Sequence, residues 1–109
     1  MQEIIDKINE TVAENPIVLF MKGSPDAPQC GFSMRTSEAL KACGGEFAYV
    51  DVLANPSVRQ LLPQVSNWPT FPQVFIGGEL VGGCDIVMEL YQNGELQKMV
   101  QQAAASTAG

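Results

Sequence analysis

The stretch IVLFMKGSPDAPQCGFSMRTSEALKACGG, residues 17–45, contains the change of pattern that decides the fold. It opens with IVLFMK at 17–22, a run that is apolar as far as Met21 and is typical of a central strand buried on both faces. A loop with a glycine and two prolines follows at 23–29, and these residues favour turns. A helix is then predicted from about Cys30 to Ala42, where a pair of glycines ends it. We therefore expect a strand, a loop and a helix in succession.

The remaining elements follow on both sides of this stretch. Apolar residues at helical spacing predict a first helix that Asn15-Pro16 ends. The other predicted elements are a parallel strand at 47–52, a helix after Asn55-Pro56, hairpin strands at 73–76 and 79–82 joined by two glycines, a helix from about Asp85 to Gln92 and a last helix from 95. The order α-β-α-β-α-β-β-α-α, with a cysteine at a strand–loop–helix junction, predicts an α/β protein. It resembles the thioredoxin-like fold, in which a four-stranded mixed sheet has helices on both faces.

The composition predicts one domain over residues 1–109, with an alanine-rich tail at about 101–109 that frays. Twelve acidic and six basic residues give a net charge of −6, which argues against nucleic acid and an anionic membrane as partners. No apolar run is long enough to span a bilayer, and the first residues lack the pattern of a secretory signal or transit peptide. We therefore expect a cytoplasmic protein.

The three cysteines are expected to be thiols. Cys30, Cys43 and Cys84 form no close pair, and the chain has no histidine that could activate a thiol. Cys30 lies at a predicted helix N-terminus, where free N–H groups favour a thiolate, and Lys22 is expected to point toward the same rim. A lone cysteine is otherwise a small core residue, an alternative that fits Cys43 better than Cys30. We therefore predict a reactive thiol at Cys30 and a structural one at Cys43.

Several sequence blocks, in order and with matching spacing, resemble the monothiol glutaredoxins of the CGFS class. They are MKGSP at 21–25, CGFS at 30–33 and WPTFPQVFIGGELVGGCD at 68–85. The resemblance covers about residues 1–100. It implies a single glutaredoxin domain that binds glutathione.

The resemblance implies contacts to each charged end of glutathione. Lys22 and Arg59 are implied to hold its glycine carboxylate. The N–H groups of Cys84 and Asp85 are implied to receive the γ-glutamyl carboxylate at a helix N-terminus, and the carboxylate of Asp85 to take the ammonium group. The alternatives are solvated surface charge for the two cations and simple helix capping for Asp85.

Between these ends, the resemblance implies a cis-proline turn at Phe71-Pro72. Its shape would leave the backbone of Phe71 free to pair with the cysteinyl residue of glutathione. Thr70 is implied to add a backbone or hydroxyl contact, and Gly83 to permit close approach of the backbone. The alternatives are an ordinary trans peptide at Pro72 and a core position for Phe71, and Trp68 is predicted as a core aromatic.

Ser33 stands where a dithiol enzyme has its second cysteine, so an intramolecular dithiol cycle through that position is excluded. A [2Fe–2S] cluster typically takes four thiolates, and the resemblance implies that Cys30 of two chains and two glutathione thiols supply them. The implied function is a cluster-bridged homodimer that carries and delivers clusters in iron–sulfur biogenesis and iron homeostasis. Its implied partners are a BolA-type protein and apo iron–sulfur acceptor proteins.

Two alternatives to the carrier stay open. One is a glutathione-dependent thiol–disulfide oxidoreductase that removes glutathione from mixed disulfides, with at most weak activity. The other is a regulatory module that binds BolA-type partners.

Overall fold

A computed structural model of the chain describes residues 1–108, and the predicted helices and main strands occur in the predicted order. The elements are α1 Gln2–Glu14, β1 Ile17–Met21, β2 Gly23–Ser24, β3 Ala27–Pro28, α2 Gly31–Ala42, β4 Ala48–Asp51, α3 Pro56–Ser66, β5 Gln73–Ile76, β6 Glu79–Gly82, α4 Cys84–Gln92 and α5 Glu95–Ala108. Within these residues, no helix combines the length and the hydrophobicity needed to cross a membrane.

The main sheet has four strands in the order β4-β1-β5-β6. β4 is parallel to β1, with Val18 opposite Ala48, whereas β5 is antiparallel to β1, with Leu19 opposite Val74. β6 pairs with β5 as a hairpin, and both turn glycines, at 77 and 78, have positive φ, as a tight primed turn requires. The mixed four-stranded sheet that the sequence predicts is therefore confirmed.

Helices cover both faces of this sheet, which explains why β1 is a continuous apolar run. Ile17, Leu19 and Met21 belong to one core cluster, which also contains residues of α2, α4 and α5. Val18 and Phe20 point to the opposite face and belong to a second cluster with residues of α1 and α3. Because successive side chains of a strand point to opposite faces, a strand between two helical layers needs apolar residues throughout.

The structure differs from the prediction at two places. The loop predicted at 23–29 contains a short antiparallel ribbon formed by β2 and β3. At the other end of the chain, where a tail that frays is predicted from about residue 101, α5 continues to Ala108, and Gly109 lies outside the described residues. The reason is a helical stripe at i, i+4 and i+7: Leu96, Val100 and Ala103 are all buried in the first core cluster.

Candidate thiol and anion-binding site

The sequence-predicted site residues meet in one cleft of about 780 Å³. The cleft lies where the end of β1, the first turns of α2 and α4, and the loop before β5 come together. All nine predicted residues line it: Lys22, Cys30, Arg59, Thr70, Phe71, Pro72, Gly83, Cys84 and Asp85. The other lining residues are Phe32, Pro63, Trp68, Pro69 and Ile86. The fold thus gathers predicted site residues that are up to 63 positions apart in the chain, from 22 to 85.

Cys30 is the N-cap residue of α2 and is partly exposed. The pKa of its thiol is lowered, mainly because the backbone N–H of Ser33 bonds the sulfur. Partial burial opposes this shift, while the N–H of Phe32, the positive charge of Lys22 and the hydroxyl of Ser33 reinforce it. The helix start is therefore the principal cause of activation and Lys22 a secondary one, and together they favour the nucleophilic, metal-ligating thiolate.

The backbone of Lys22 is held on both sides by the segment that carries the thiol. Its N–H donates to Oγ of Ser33 at 3.1 Å, and its C=O accepts from the N–H of Gln29 at 2.9 Å. One residue further, the N–H of Gly23 donates to Oδ1 of Asp51 at 3.0 Å. Because Gln29 and Ser33 flank Cys30, these bonds fix the cation-bearing residue beside the thiol.

Ser33 therefore has a role that the sequence interpretation missed. Its side chain is fully buried (0% exposed), and it links the end of β1 to the start of α2. A serine in the first turn of a predicted helix is a signal for a local side-chain hydrogen bond, whereas this bond joins residues 11 positions apart, so no local pattern predicts it. Ser33 therefore helps to position Lys22 beside the thiol, and it also replaces the second cysteine of a dithiol enzyme.

The other two cysteines differ from Cys30 in their surroundings, and all three are free thiols. Cys43 is buried at the C-terminal end of α2, and this burial raises the pKa of its thiol, which agrees with the structural role predicted for it. Cys84 is also buried but is the first residue of α4 and lines the cleft.

The peptide bond between Phe71 and Pro72 is cis, as expected. Gly83 packs closely against two other residues of the chain, Pro72 and Trp68. A Cβ at this position would lie 3.2 Å from the carbonyl oxygen of Pro72 and 3.3 Å from Nε1 of Trp68. The start of α4 and the cis-proline turn therefore pack closely at Gly83, whereas the contact of Gly83 with glutathione stays a prediction.

Trp68 is placed differently from the prediction. It is half-buried and lines the cleft instead of joining either core cluster. Trp68 lies between α3 and β5, where the two prolines that follow it, Pro69 and Pro72, interrupt regular structure.

The start of α4 leaves its N–H groups available. The N-cap residue is Gly83, and α4 has no side-chain capping hydrogen bond, so the alternative that Asp85 merely caps its helix is not observed. The first N–H groups of a helix have no partner inside the helix and attract anions. With Cys84 and Asp85 at the wall of the cleft, this helix start faces the same space as the thiol.

Positive charge is concentrated around the cleft of an otherwise acidic chain. Lys22 and Arg59 line it, and the guanidinium of Arg35 lies 5.3 Å from the centre of the Phe32 ring, which also lines it. Among the described residues, the ion pairs involve Lys41 and Lys98 and none of these three cations. Unpaired cations and an open helix N-terminus make the cleft suitable for a ligand with two carboxylates.

Within residues 1–108, no group of three or more histidine, cysteine or acidic side chains is arranged to hold a metal ion. The described side chains of one chain therefore do not supply the four thiolates that a [2Fe–2S] cluster typically takes. Any such cluster would need thiolates from elsewhere.

A mixed sheet with helices on both faces, an activated thiol at a helix start and a facing cis-proline turn define a thiol protein of the thioredoxin-like fold. The family model of glutaredoxin matches residues 17–81. The chain is 59% identical over 105 residues to Glutaredoxin 4 of Escherichia coli (strain K12), covering 96% of this chain and 91% of that protein. It is 55% identical over 106 residues to Glutaredoxin 4 of Haemophilus influenzae, covering 97% and 99%.

Solved structures agree with this assignment. The crystal structure of a buckwheat glutaredoxin–glutathione complex superposes with a TM-score of 0.83 at 29% identity, covering 95% of this chain and 93% of that one. The chain therefore belongs to the glutaredoxin family. It resembles the bacterial glutaredoxins 4 within that family and, with Ser33 at the position of a second cysteine, is a monothiol glutaredoxin.

Proposed function

We propose that the cleft binds glutathione. The observation that carries this proposal is the pair of unpaired cations, Lys22 and Arg59, on the same cleft as the open start of α4 and the thiol of Cys30. Glutathione has a carboxylate at each end, so the cations suit its glycine carboxylate and the N–H groups of Cys84 and Asp85 suit its γ-glutamyl carboxylate. The similarity to a glutaredoxin solved with glutathione supports the same ligand.

The middle of glutathione would then lie along the cis-proline turn. Phe71 is outside the regular strands, and Thr70 is exposed on the same wall. Their backbone groups, and the hydroxyl of Thr70, would bind the cysteinyl residue. This arrangement directs the thiol of glutathione toward Cys30.

We further propose that the protein carries a [2Fe–2S] cluster as cargo. A cluster needs four thiolates, and the described part of one chain provides no clustered ligand set. Cys30 of two chains and the thiols of two bound glutathiones make four, which implies a homodimer that forms around the cluster. The lowered pKa of Cys30 supports this assignment, because metal ligation requires the deprotonated thiol.

The absence of a cysteine at position 33 fits a carrier better than a dithiol enzyme. A neighbouring thiol would oxidise with Cys30 and remove the ligand, whereas Ser33 cannot. As proposed partners we retain a BolA-type protein and apo iron–sulfur proteins that accept the cluster, and as proposed location the cytoplasm, where thiols stay reduced.

Thiol–disulfide exchange is the second candidate function, and the activated thiol of Cys30 favours it. The thiolate would attack the glutathione sulfur of a mixed disulfide, releasing the substrate thiolate, which takes up a proton. A second glutathione thiolate would then attack the mixed disulfide on Cys30, releasing oxidised glutathione and the free thiolate of Cys30. Each step exchanges one S–S bond for another, so no further oxidant is needed.

Calorimetric titration with reduced glutathione tests the binding site. Replacing Lys22 by Gln removes one charge-assisted hydrogen bond, worth about 1.5–3 kcal/mol, so the Kd should rise by roughly tenfold or more. The thiol of Cys30 should also alkylate more slowly at neutral pH, because a nearby cation is lost.

The matched control for this test is Lys98→Gln, which changes an exposed lysine that pairs with Glu95 on α5. It should leave the glutathione affinity unchanged. If wild type and Lys22→Gln bind glutathione with equal affinity, Lys22 is a solvated surface charge and not a ligand of glutathione.

A further inference from the structure

The cleft depends on a loop that has little regular structure of its own. Residues 68–70, here called the cleft loop, follow the end of α3 and precede the cis-proline turn, and all three line the cleft. The N–H of Trp68 bonds the carbonyl of Pro63 at 3.3 Å. Pro69 lies between Trp68 and Thr70 in sequence, and proline has no N–H to donate. The middle residue of the loop therefore offers no backbone donor that could help to hold the loop.

One buried side chain supplies the missing donors. Nε2 of Gln73 donates to the carbonyl of Trp68 at 3.0 Å and to the carbonyl of Thr70 at 3.2 Å. Gln73 is the first residue of β5 and is fully buried (0% exposed). A single amide group thus bonds both ends of the cleft loop from beneath.

The side-chain amide of Gln73 makes no other hydrogen bond among the described residues. Oε1 of Gln73 has no hydrogen-bond partner among the described residues, and Gln73 belongs to neither apolar cluster. Both hydrogen bonds of its Nε2 go to the loop. The polar contacts of this buried side chain are therefore contacts with the wall of the cleft.

We propose that Gln73 is a positioning residue for the glutathione site. Its amide holds the cleft loop in the conformation that presents Trp68 and Thr70 to the ligand, without itself lining the cleft. The inference rests on the proposed function for its ligand, whereas the anchoring of the loop is independent of that ligand.

The test uses Trp68, which is the only tryptophan of the chain and lies in the cleft loop. Gln73→Met keeps the length of the side chain and removes the donor, and Gln73→Glu keeps its shape but presents a carboxylate to the two carbonyls. In both variants we expect acrylamide to quench the fluorescence of Trp68 more strongly. We also expect the Kd for reduced glutathione to rise about tenfold, the equivalent of 1.4 kcal/mol.

Two further measurements separate positioning from general destabilisation. Val74→Ala is the matched control, because Val74 is the next residue of β5, is equally buried and packs into the apolar core. It should lower the unfolding temperature and leave both Trp68 quenching and glutathione affinity unchanged. The pH profile of Cys30 alkylation should be the same in Gln73→Met as in wild type, because the groups that lower the pKa of the thiol are Lys22 and the first turn of α2, and Gln73 is not among them.

The outcomes are distinguishable from a failure of the proposed function. If wild type does not bind glutathione but the Gln73 variants expose Trp68, the ligand assignment fails and the anchoring stands. If wild type binds glutathione and the folded variants match it in affinity and quenching, the inference is overturned. Should both variants fail to fold, hydrogen exchange of the Gln73 side-chain amide in wild type decides: protected hydrogens support the anchor, and hydrogens that exchange as in an exposed glutamine refute it.

Discussion

Removing the hydroxyl of Ser33 tests how the fold prepares the thiol. Ser33→Ala deletes the acceptor for the N–H of Lys22, a bond of 3.1 Å at a fully buried side chain. Leaving a buried N–H without a partner costs about 1–3 kcal/mol. Lys22 is only half-buried, so we expect the lower half of that range, about 1–2 kcal/mol. For a domain of this size, that loss lowers Tm by roughly 4–8 °C.

The same substitution should raise the pKa of Cys30, because the Ser33 hydroxyl is one of the groups that lower it. The increase should be partial, since alanine keeps the backbone N–H of residue 33, which is the largest cause of the shift. A thiol whose pKa is lower in the folded protein stabilises the fold above its ordinary pKa, and this contribution is lost as the pH falls through the folded value. The stability difference between wild type and Ser33→Ala should therefore be larger at pH ~9 than at pH ~5.

Urea denaturation at both pH values measures the stability, and alkylation rates across pH, with the modified cysteine identified by mass spectrometry, measure the thiol pKa. Ser37→Ala is the matched control, because Ser37 is equally buried on α2 and its hydroxyl donates to the carbonyl of Met34. It should leave the alkylation profile of Cys30 unchanged. If the two alanine variants have the same alkylation profile and the same pH dependence of stability, the proposed role of Ser33 is wrong.

The remaining predictions concern the cluster and the thiols. Cys30→Ser should abolish cluster binding while Cys43→Ser retains it, since of these two cysteines Cys30 lines the cleft and Cys43 does not; a colourless but folded Cys43→Ser protein after reconstitution would contradict the assignment. Ser33→Cys should form an intramolecular disulfide with Cys30 on mild oxidation and lose its cluster faster in air, because the disulfide consumes the ligand thiolate. A full free-thiol count and an unchanged absorbance decay would show that Ser33 does not determine the chemistry.

Much of the fold follows from patterns that act locally. Three such patterns each determine one element, and the structure confirms all three. They are the apolar run of β1, the glycine pair between β5 and β6, and Asn55-Pro56 before α3. The last helix was harder to predict, because alanine-rich sequence near a chain end is compatible with fraying. Only the packing of Ala103 against the core, a tertiary contact, shows that the helix continues.

Some residues of the site could likewise be predicted from local sequence patterns, and others could not. Cys30 and the cations around it could be predicted, because charge, thiol chemistry and helix starts leave marks in the sequence. The role of Gln73 could not be predicted, since a single polar residue in an apolar strand does not reveal which carbonyls of a loop it will bond. Trp68 was expected in the core because its size favours burial, and the position of the loop was not available from the sequence.

The central claim is that two chains and two glutathiones share one cluster through Cys30. Its most direct test is anaerobic reconstitution with iron, sulfide and reduced glutathione, followed by size-exclusion chromatography with visible absorbance and assay of iron, sulfide and glutathione across the peak. We predict a coloured dimer that contains, for two chains, one [2Fe–2S] cluster and two glutathiones, and that dissociates to colourless monomers when glutathione is omitted. A coloured monomer, or a coloured dimer without glutathione, would contradict the account.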